Sequence, residues 1–417
     1  MNSFRSFVRI FAVAVVLACG TAACSSSTDT TPATWVGSWG SAQYVADGDN
    51  ALPLDITGNV TLRQLVRLSV GGPEMRVRVS NAFGTEPLHV LSLHVARSLG
   101  TDSSRIDPSS DRIATFGERT EVIIPAGAEL TSDPIDFAVE PLSILAVTME
   151  LASIPERQTG HPGSRTTSYL SPGLSASAAE LESPQRIERW YFLSAIDVRM
   201  RGGAAIAVIG DSITDGRGST TDGNDRWTDV LAERLQASPK HRHLGVLNMG
   251  IGGNRLLLDG NGPHALSRFD RDILARSGVE YLIVLEGIND LGMLTRDAPA
   301  SEREHDELVR QMIQAYREMI TRARTHGIKV IGATLMPFGG FDYYHPDETN
   351  ERDRQRVNEW IRAAGNFDAV VDFDKVTADP AQPDRLLAEY DVGDHIHPSP
   401  AGFRAMGEAV PLELFDD

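Results

Sequence analysis

Six consecutive apolar residues at 204–209, Ala-Ala-Ile-Ala-Val-Ile, run straight into Gly210-Asp211-Ser212. A strand that is apolar on both faces needs cover on both faces, which parallel sheets with helices above and below supply. This stretch therefore predicts a buried parallel strand. A serine just past its end lies in the crevice where open α/β sheets bind ligands.

From Gly202 onward strand and helix patterns alternate. A helix with apolar Trp227, Val230, Leu231 and Leu235 follows, with Asn224-Asp225 as its cap region. A short strand at 245–247 ends in Asn248-Met249-Gly250-Ile251-Gly252-Gly253-Asn254, and a third, at 281–285, ends in Glu286-Gly287-Ile288-Asn289-Asp290. A long helix at about 306–326 carries Leu308, Met312, Ala315 and Met319 on one face and stops at Gly327. Residues 329–334 form a fourth strand, 351–364 a helix, Val370-Val371 the start of a fifth strand, and 400–409 a last helix. This order predicts a parallel sheet with right-handed crossovers and helices on both faces over 201–417.

The preceding stretch, 35–200, reads differently. Val60, Leu62, Val66, Leu68 and Val70 alternate with Thr61, Arg63, Arg67 and Ser69, and Met75, Val77 and Val79 alternate with Arg76, Arg78 and Ser80 after a Gly71-Gly72-Pro73 turn. Short strands separated by Gly, Pro, Asp and Ser clusters predict an all-β sandwich, jelly-roll-like, with one face of each sheet in water. Exposed aromatics that would make a sugar platform are sparse, and Trp35 and Trp39 suit packing between the two parts as well as they suit a platform.

The first 24 residues read as a secretory signal: Arg5 and Arg9 flank the start of an apolar run at 8–18, and Gly20-Thr21-Ala22-Ala23 follows. The run is too short for a permanent membrane span. Cys19 and Cys24 are the only cysteines. Either resembles the acceptor of a bacterial lipoprotein signal, although neither follows that signal's usual leucine pattern. The polar linker at 25–34 favours Cys24, and plain secretion with incidental cysteines is the alternative. Neither a disulfide framework nor a thiol mechanism is then available. A formal net charge of −18 argues against nucleic acid and anionic membrane surfaces as partners. Membrane attachment is expected only through the lipid anchor.

In a parallel sheet all strand C-terminal ends share one edge, so Ser212, the glycine loop and Asn289 converge by topology. An acyl-transfer site needs a nucleophile, a base, an orienter for the base and donors for an oxyanion. Ser212 is the candidate nucleophile and His397 the candidate base. Asp394, three residues earlier, is placed to hold the imidazole. The neighbouring His395 directly follows Asp394, whose carboxylate cannot easily turn onto that ring. The donors are the backbone N–H of Ser212, a backbone N–H in the glycine loop and the Asn289 amide. No cofactor is required and no metal site is suggested; His345, Asp347 and Glu348 read as solvated loop charges.

Gly210-Asp211-Ser212-Ile213-Thr214, the Asn248-to-Asn254 loop, Gly287-Ile288-Asn289-Asp290 and Asp394-His395-Ile396-His397 resemble the four blocks of the SGNH (GDSL-type) hydrolases. The resemblance implies a flavodoxin-like three-layer α/β/α fold. It also implies Ser212 as nucleophile, Ser212, Gly253 and Asn289 as oxyanion donors, and Asp394 and His397 as the rest of a triad. The Trp35-Val36-Gly37-Ser38-Trp39 start resembles the accessory domain of a secreted bacterial subfamily. The expected function is hydrolysis of short-chain, often acetyl, esters on carbohydrate or small molecules. The alternatives are a lipase or phospholipid acyl hydrolase, an acyltransferase, and a non-catalytic glycan-binding surface lipoprotein. Leu256, Leu257 and Leu258, with Phe338, Phe341, Tyr343 and Tyr344, lie where a substrate wall is expected.

Overall fold

Period-two alternation builds the N-terminal part of the computed structural model, which describes residues 32–416. The expected signal and both cysteines lie outside the described residues. Strand β1 (Ala33–Gly40) belongs to a four-stranded antiparallel sheet with Leu193–Arg201, Glu74–Ser80 and Glu129–Thr131. A larger antiparallel sheet is centred on β2 (Val60–Arg67), flanked by Ile144–Leu151 and Ser168–Pro172. A third, three-stranded sheet contains Gln158–His161 between Trp190–Tyr191 and Tyr44–Ala46. Leu62 and Val66 of β2 share one core with Val77, Val147, Met149 and Val198.

The other face of β2 is not in water. Arg63 is fully buried and donates to Thr148 Oγ1 at 2.9 Å and to the carbonyls of Ser104, Ala176 and Ala178 at 2.5, 2.8 and 2.9 Å. Leu65, Ala146, Ile106 and Leu181 form a second small core there. Alternation alone suggests a solvated face, but the loops around 104 and 176–181 cover it and supply the acceptors that a buried guanidinium needs.

The second part is a five-stranded parallel sheet. Its strands are β3 (Ala204–Gly210), β4 (Leu244–Gly250), β5 (Val279–Leu285), β6 (Lys329–Ala333) and β7 (Ala369–Val371), in the order β4-β3-β5-β6-β7. Every residue of β3 is buried, as expected for a central parallel strand. Its helices include α1 (Ser212–Asp215), α2 (Trp227–Ala237), α3 (Ile288–Thr295), α4 (Glu302–Thr325), α5 (Glu348–Arg362) and α6 (Pro400–Ala409). Helix α2 packs with α6, and α4 with α5, on opposite faces of the sheet, giving three α/β/α layers. Two helices start earlier than the apolar pattern suggests, because caps set their first turns. Ser301 N–H and Oγ–H both donate to Glu304, at 2.7 Å each, and Asp347 accepts from Thr349 and Asn350 N–H at 2.8 and 3.1 Å. Helix α2 is capped at Arg226 rather than Asn224-Asp225, its N–H donating to Asp229 at 3.1 Å.

One hydrophobic cluster runs through both parts. Strand β1 lies against edge strand β4, and glycines permit the approach: a Cβ on Gly37 would sit 2.7 Å from Leu247 Cδ1, and one on Gly40 2.9 Å from Met249 Sδ. Trp39 packs edge-on against Trp190 at 4.8 Å beside this seam. Register then levels the strand ends, with Gly210 opposite both Gly250 and Leu285. Among the described residues no helix is long and apolar enough to cross a membrane.

Candidate active site

Ser212 opens α1 immediately after β3. Asp211 caps that turn by accepting from Ile213 N–H at 2.9 Å. The turn is tight: a Cβ on Gly210 would sit 2.3 Å from Thr214 Oγ1 and 2.7 Å from Leu285 O. Ser212 Oγ lies 2.8 Å from His397 Nε2, and His397 Nδ1 lies 2.7 Å from Asp394 Oδ2. A carboxylate only accepts, so the Nδ1 proton is donated to Asp394 and Nε2 is left to accept from the serine. Burial pushes the Asp394 carboxyl up, but the His397 ring and the backbone N–H groups of His397 and Ile396 outweigh it and bring it down to about 2. His395 is turned away, exposed and bound to Asp391 Oδ2 at 2.7 Å.

The expected donors gather on the other side of Ser212. Asn289 sits in the first turn of α3, after Gly287 with φ +126°. Its Oδ1 accepts from Tyr344 OH at 2.7 Å, and its Nδ2 donates one hydrogen to Asn254 O at 2.8 Å, leaving the second hydrogen for a ligand. In the glycine loop, Gly252 N–H is taken by Asp215 Oδ2 at 2.9 Å. Gly253, at φ +70°, lines the same cavity as Ser212.

Several residues that hold this edge together carry no local signal in the sequence. Arg268 is buried and reaches three of the converging segments: Gly210 O at 3.0 Å, Met249 O at 2.6 Å and Asn254 Oδ1 at 3.0 Å. It also pairs with Asp272 at 3.2 Å. Beneath it lie the buried acids Asp211, Glu286 and Asp290. Burial raises all three, Asp290 to about 7 against the pull of the Leu256 and Leu257 N–H groups. Among the described residues neither Glu286 carboxyl oxygen has a hydrogen-bond partner, and its ion-pair neighbour is Arg268 at 3.6 Å.

A second histidine–aspartate pair lies across the seam. His161, from the three-stranded sheet, places Nε2 2.8 Å from Asp215 Oδ1 and Nδ1 2.7 Å from Ala42 O. It is buried and stacks on Trp190 at 5.8 Å. The other oxygen of Asp215 holds Gly252, so the β part reaches the glycine loop through one carboxylate.

The cavity around Ser212 measures about 650 Å³. Phe341, Tyr343 and Tyr344 form part of its wall, together with Tyr44 from the β part. Phe338 and Leu256, expected at this wall, are core residues instead. Leu257 and Leu258 line an adjoining groove of about 770 Å³ with Leu266, Met293, Leu294 and Leu308. Asp347 is used as the α5 cap. Among the described residues no group of three or more His, Cys, Asp or Glu is placed to hold a metal ion.

A parallel α/β/α sheet with a hydrogen-bonded Ser-His-Asp chain at its C-terminal edge defines a class, the carboxylic ester hydrolases. Residues 208–405 match the model of the GDSL-like lipase/acylhydrolase family. Similar solved structures include a GDSL-like lipase from Bacteroides thetaiotaomicron, with 17% identity over 51% of this chain and 87% of that one and a TM-score of 0.36. Another is a catalytic mutant of the acetylxylan esterase Axe2 from Geobacillus stearothermophilus, with 22% identity over 52% of this chain and 97% of that one and a TM-score of 0.37. A comparison with curated proteins finds no match.

Proposed function

We propose that the protein hydrolyses short-chain acyl esters, acetyl above all, on carbohydrate or small alcohols through an acyl-enzyme on Ser212. The observation that carries this reading is the continuous chain from Ser212 Oγ through His397 to Asp394 inside an aromatic-walled cavity. Ser212 Oγ attacks the ester carbonyl while His397 Nε2 takes its proton. Asp394, ionised at neutral pH, holds the ring and stabilises the imidazolium. The negative charge on the carbonyl oxygen is met by the N–H groups of Ser212 and Gly253 and by Asn289 Nδ2. His397 returns the proton to the leaving alkoxide. A water then attacks the acyl-enzyme by the same route, with His397 first taking its proton and then giving it to Ser212 Oγ. Tyr44 and Tyr343 at the cavity support a sugar ring as the alcohol part. The proposal includes export and a lipid anchor at Cys24 (or Cys19), supported by the order of basic, apolar and small residues in the first 24 positions.

One observation favours a second reading. The leucine-lined groove shares Arg255 and Met293 with the catalytic cavity, which would suit a longer acyl chain and a lipase-type substrate. Hydrolysis of p-nitrophenyl acetate, butyrate and octanoate, beside acetate release from acetylated xylan, separates the two. The first reading expects the highest kcat/KM with acetyl esters, and a rate rising toward octanoate moves the assignment to the second. Ser212→Ala should lower kcat by at least about ten-thousandfold; retained hydrolysis would sink both.

A further inference from the structure

The cavity that holds Ser212 is bordered by four arginines, Arg165, Arg217, Arg255 and Arg296. Arg296 is answered by Asp297 at 2.6 Å and donates to Tyr343 OH at 2.7 Å. The other three form no ion pair with a carboxylate among the described residues; Arg255 bonds the carbonyl of Asp259 and is near enough to Asp290 to pull its carboxyl down. Acidic side chains outnumber basic ones in this chain, 57 to 39, and several guanidiniums elsewhere do find carboxylates, as at Arg76, Arg268, Arg354 and Arg362. Three unpaired guanidiniums on one cavity are thus the reverse of what composition favours. Among the described residues the only carboxylates lining it, Asp215 and Asp394, are engaged by His161 and His397.

Arg165 is the most constrained of the three. Its Nε is buried without a hydrogen-bond partner, and its backbone sits at φ +50°, a costly region for a residue with a side chain. The loop is fixed there by Asp222, whose N–H donates to Arg165 O at 2.9 Å while its carboxylate accepts from Thr167 N–H and Oγ–H at 2.7 Å each. A partly buried cation without a counter-charge is unfavourable until an anion arrives, and a guanidinium offers such a group a planar pair of donors.

We propose that the natural ester is anionic: an acylated saccharide bearing carboxylate or phosphate groups, held over Ser212 by Arg165, Arg217 and Arg255. This deepens the esterase assignment above and rests on it. The net charge of −18 does not oppose it at close range. At physiological salt, charges more than about 8 Å away are largely screened, whereas these arginines would touch the substrate.

The test compares acetate release from an O-acetylated methyl galacturonoside with release from the same compound after methylation of its carboxyl group. A second arm uses acetylated glucose 6-phosphate against acetylated glucose. For the wild type, the anionic member of at least one pair should be preferred by about tenfold in kcat/KM at low salt, and the preference should shrink toward unity at roughly 1 M salt. Arg165→Gln and Arg217→Gln should each lower that ratio about threefold, mainly through KM. The arm that shows the preference identifies the anion. Ratios near one in both arms, or ratios unmoved by salt and by both variants, would overturn the proposal. Release that persists in Ser212→Ala would instead remove the esterase assignment beneath it.

Discussion

Two histidine–aspartate pairs flank Ser212, and the chain builds them in opposite ways. His397 and Asp394 lie three residues apart on one loop, and their bond closes locally. His161 and Asp215 are 54 positions apart and meet only because the β part packs against the parallel sheet. Their hydrogen-bond inventories differ as much as their origins. His397 gives one nitrogen to Asp394 and turns the other to Ser212. Both nitrogens of His161 are occupied, by Asp215 and by the Ala42 carbonyl, so none is left to take a proton from a reacting group. The same two residue types leave a nitrogen for the proposed base in one place and make a clamp in the other, and the partners of the ring decide which.

Substitutions can break this contrast. The largest effect is expected from His397→Ala, which should lower kcat by at least about ten-thousandfold with little change in Tm. Asn289→Ala removes one of the proposed oxyanion donors and should cost about a hundred- to a thousandfold in kcat. His161→Ala should cost kcat less, about ten- to a hundredfold through the displaced glycine loop. It should cost stability more, about 3 kcal/mol, because Asp215 is left buried and unpaired. Steady-state kinetics beside thermal unfolding separates the two roles, and a His161 variant as inactive as the His397 variant at unchanged Tm would erase the distinction.

The smallest effect concerns the acids beneath the site. Burial raises Glu286, Asp211 and Asp290, the last to about 7. A carboxyl with a folded pKa above its unfolded value of about 4 binds more protons when folded. Its contribution to stability is therefore complete below about pH 4 and is lost as pH rises through about 7. Unfolding free energy should fall across that window, and Glu286→Gln should flatten the fall. An unchanged slope would show that Glu286 takes no part in it.

Much of the parallel layer was readable because its signals are local. A buried strand is a short apolar run, and a residue just past its end has its place fixed by topology. Asp394 and His397 are likewise joined by spacing. The supports are not local. Arg268 ties Gly210, Met249 and Asn254 across 58, 19 and 14 positions, yet by itself it reads as one more surface arginine. Arg63 reads the same way and is fully buried. Period-two alternation distinguishes apolar from polar faces but cannot tell that loops will cover the polar one. Leu256 and Phe338 show the converse, since apolar residues after a strand suit a pocket wall and a core equally well.

The seam between β1 and β4 also bears on transplantation. Gly37 and Gly40 are shaped to Leu247 and Met249, and His161 completes a network that ends at the glycine loop. A graft of this parallel layer onto a foreign β scaffold would have to carry those three residues along. The two halves are matched parts, and an exchange that keeps Ser212, Asp394 and His397 alone would transfer the reactive groups without the fitting that holds them in register.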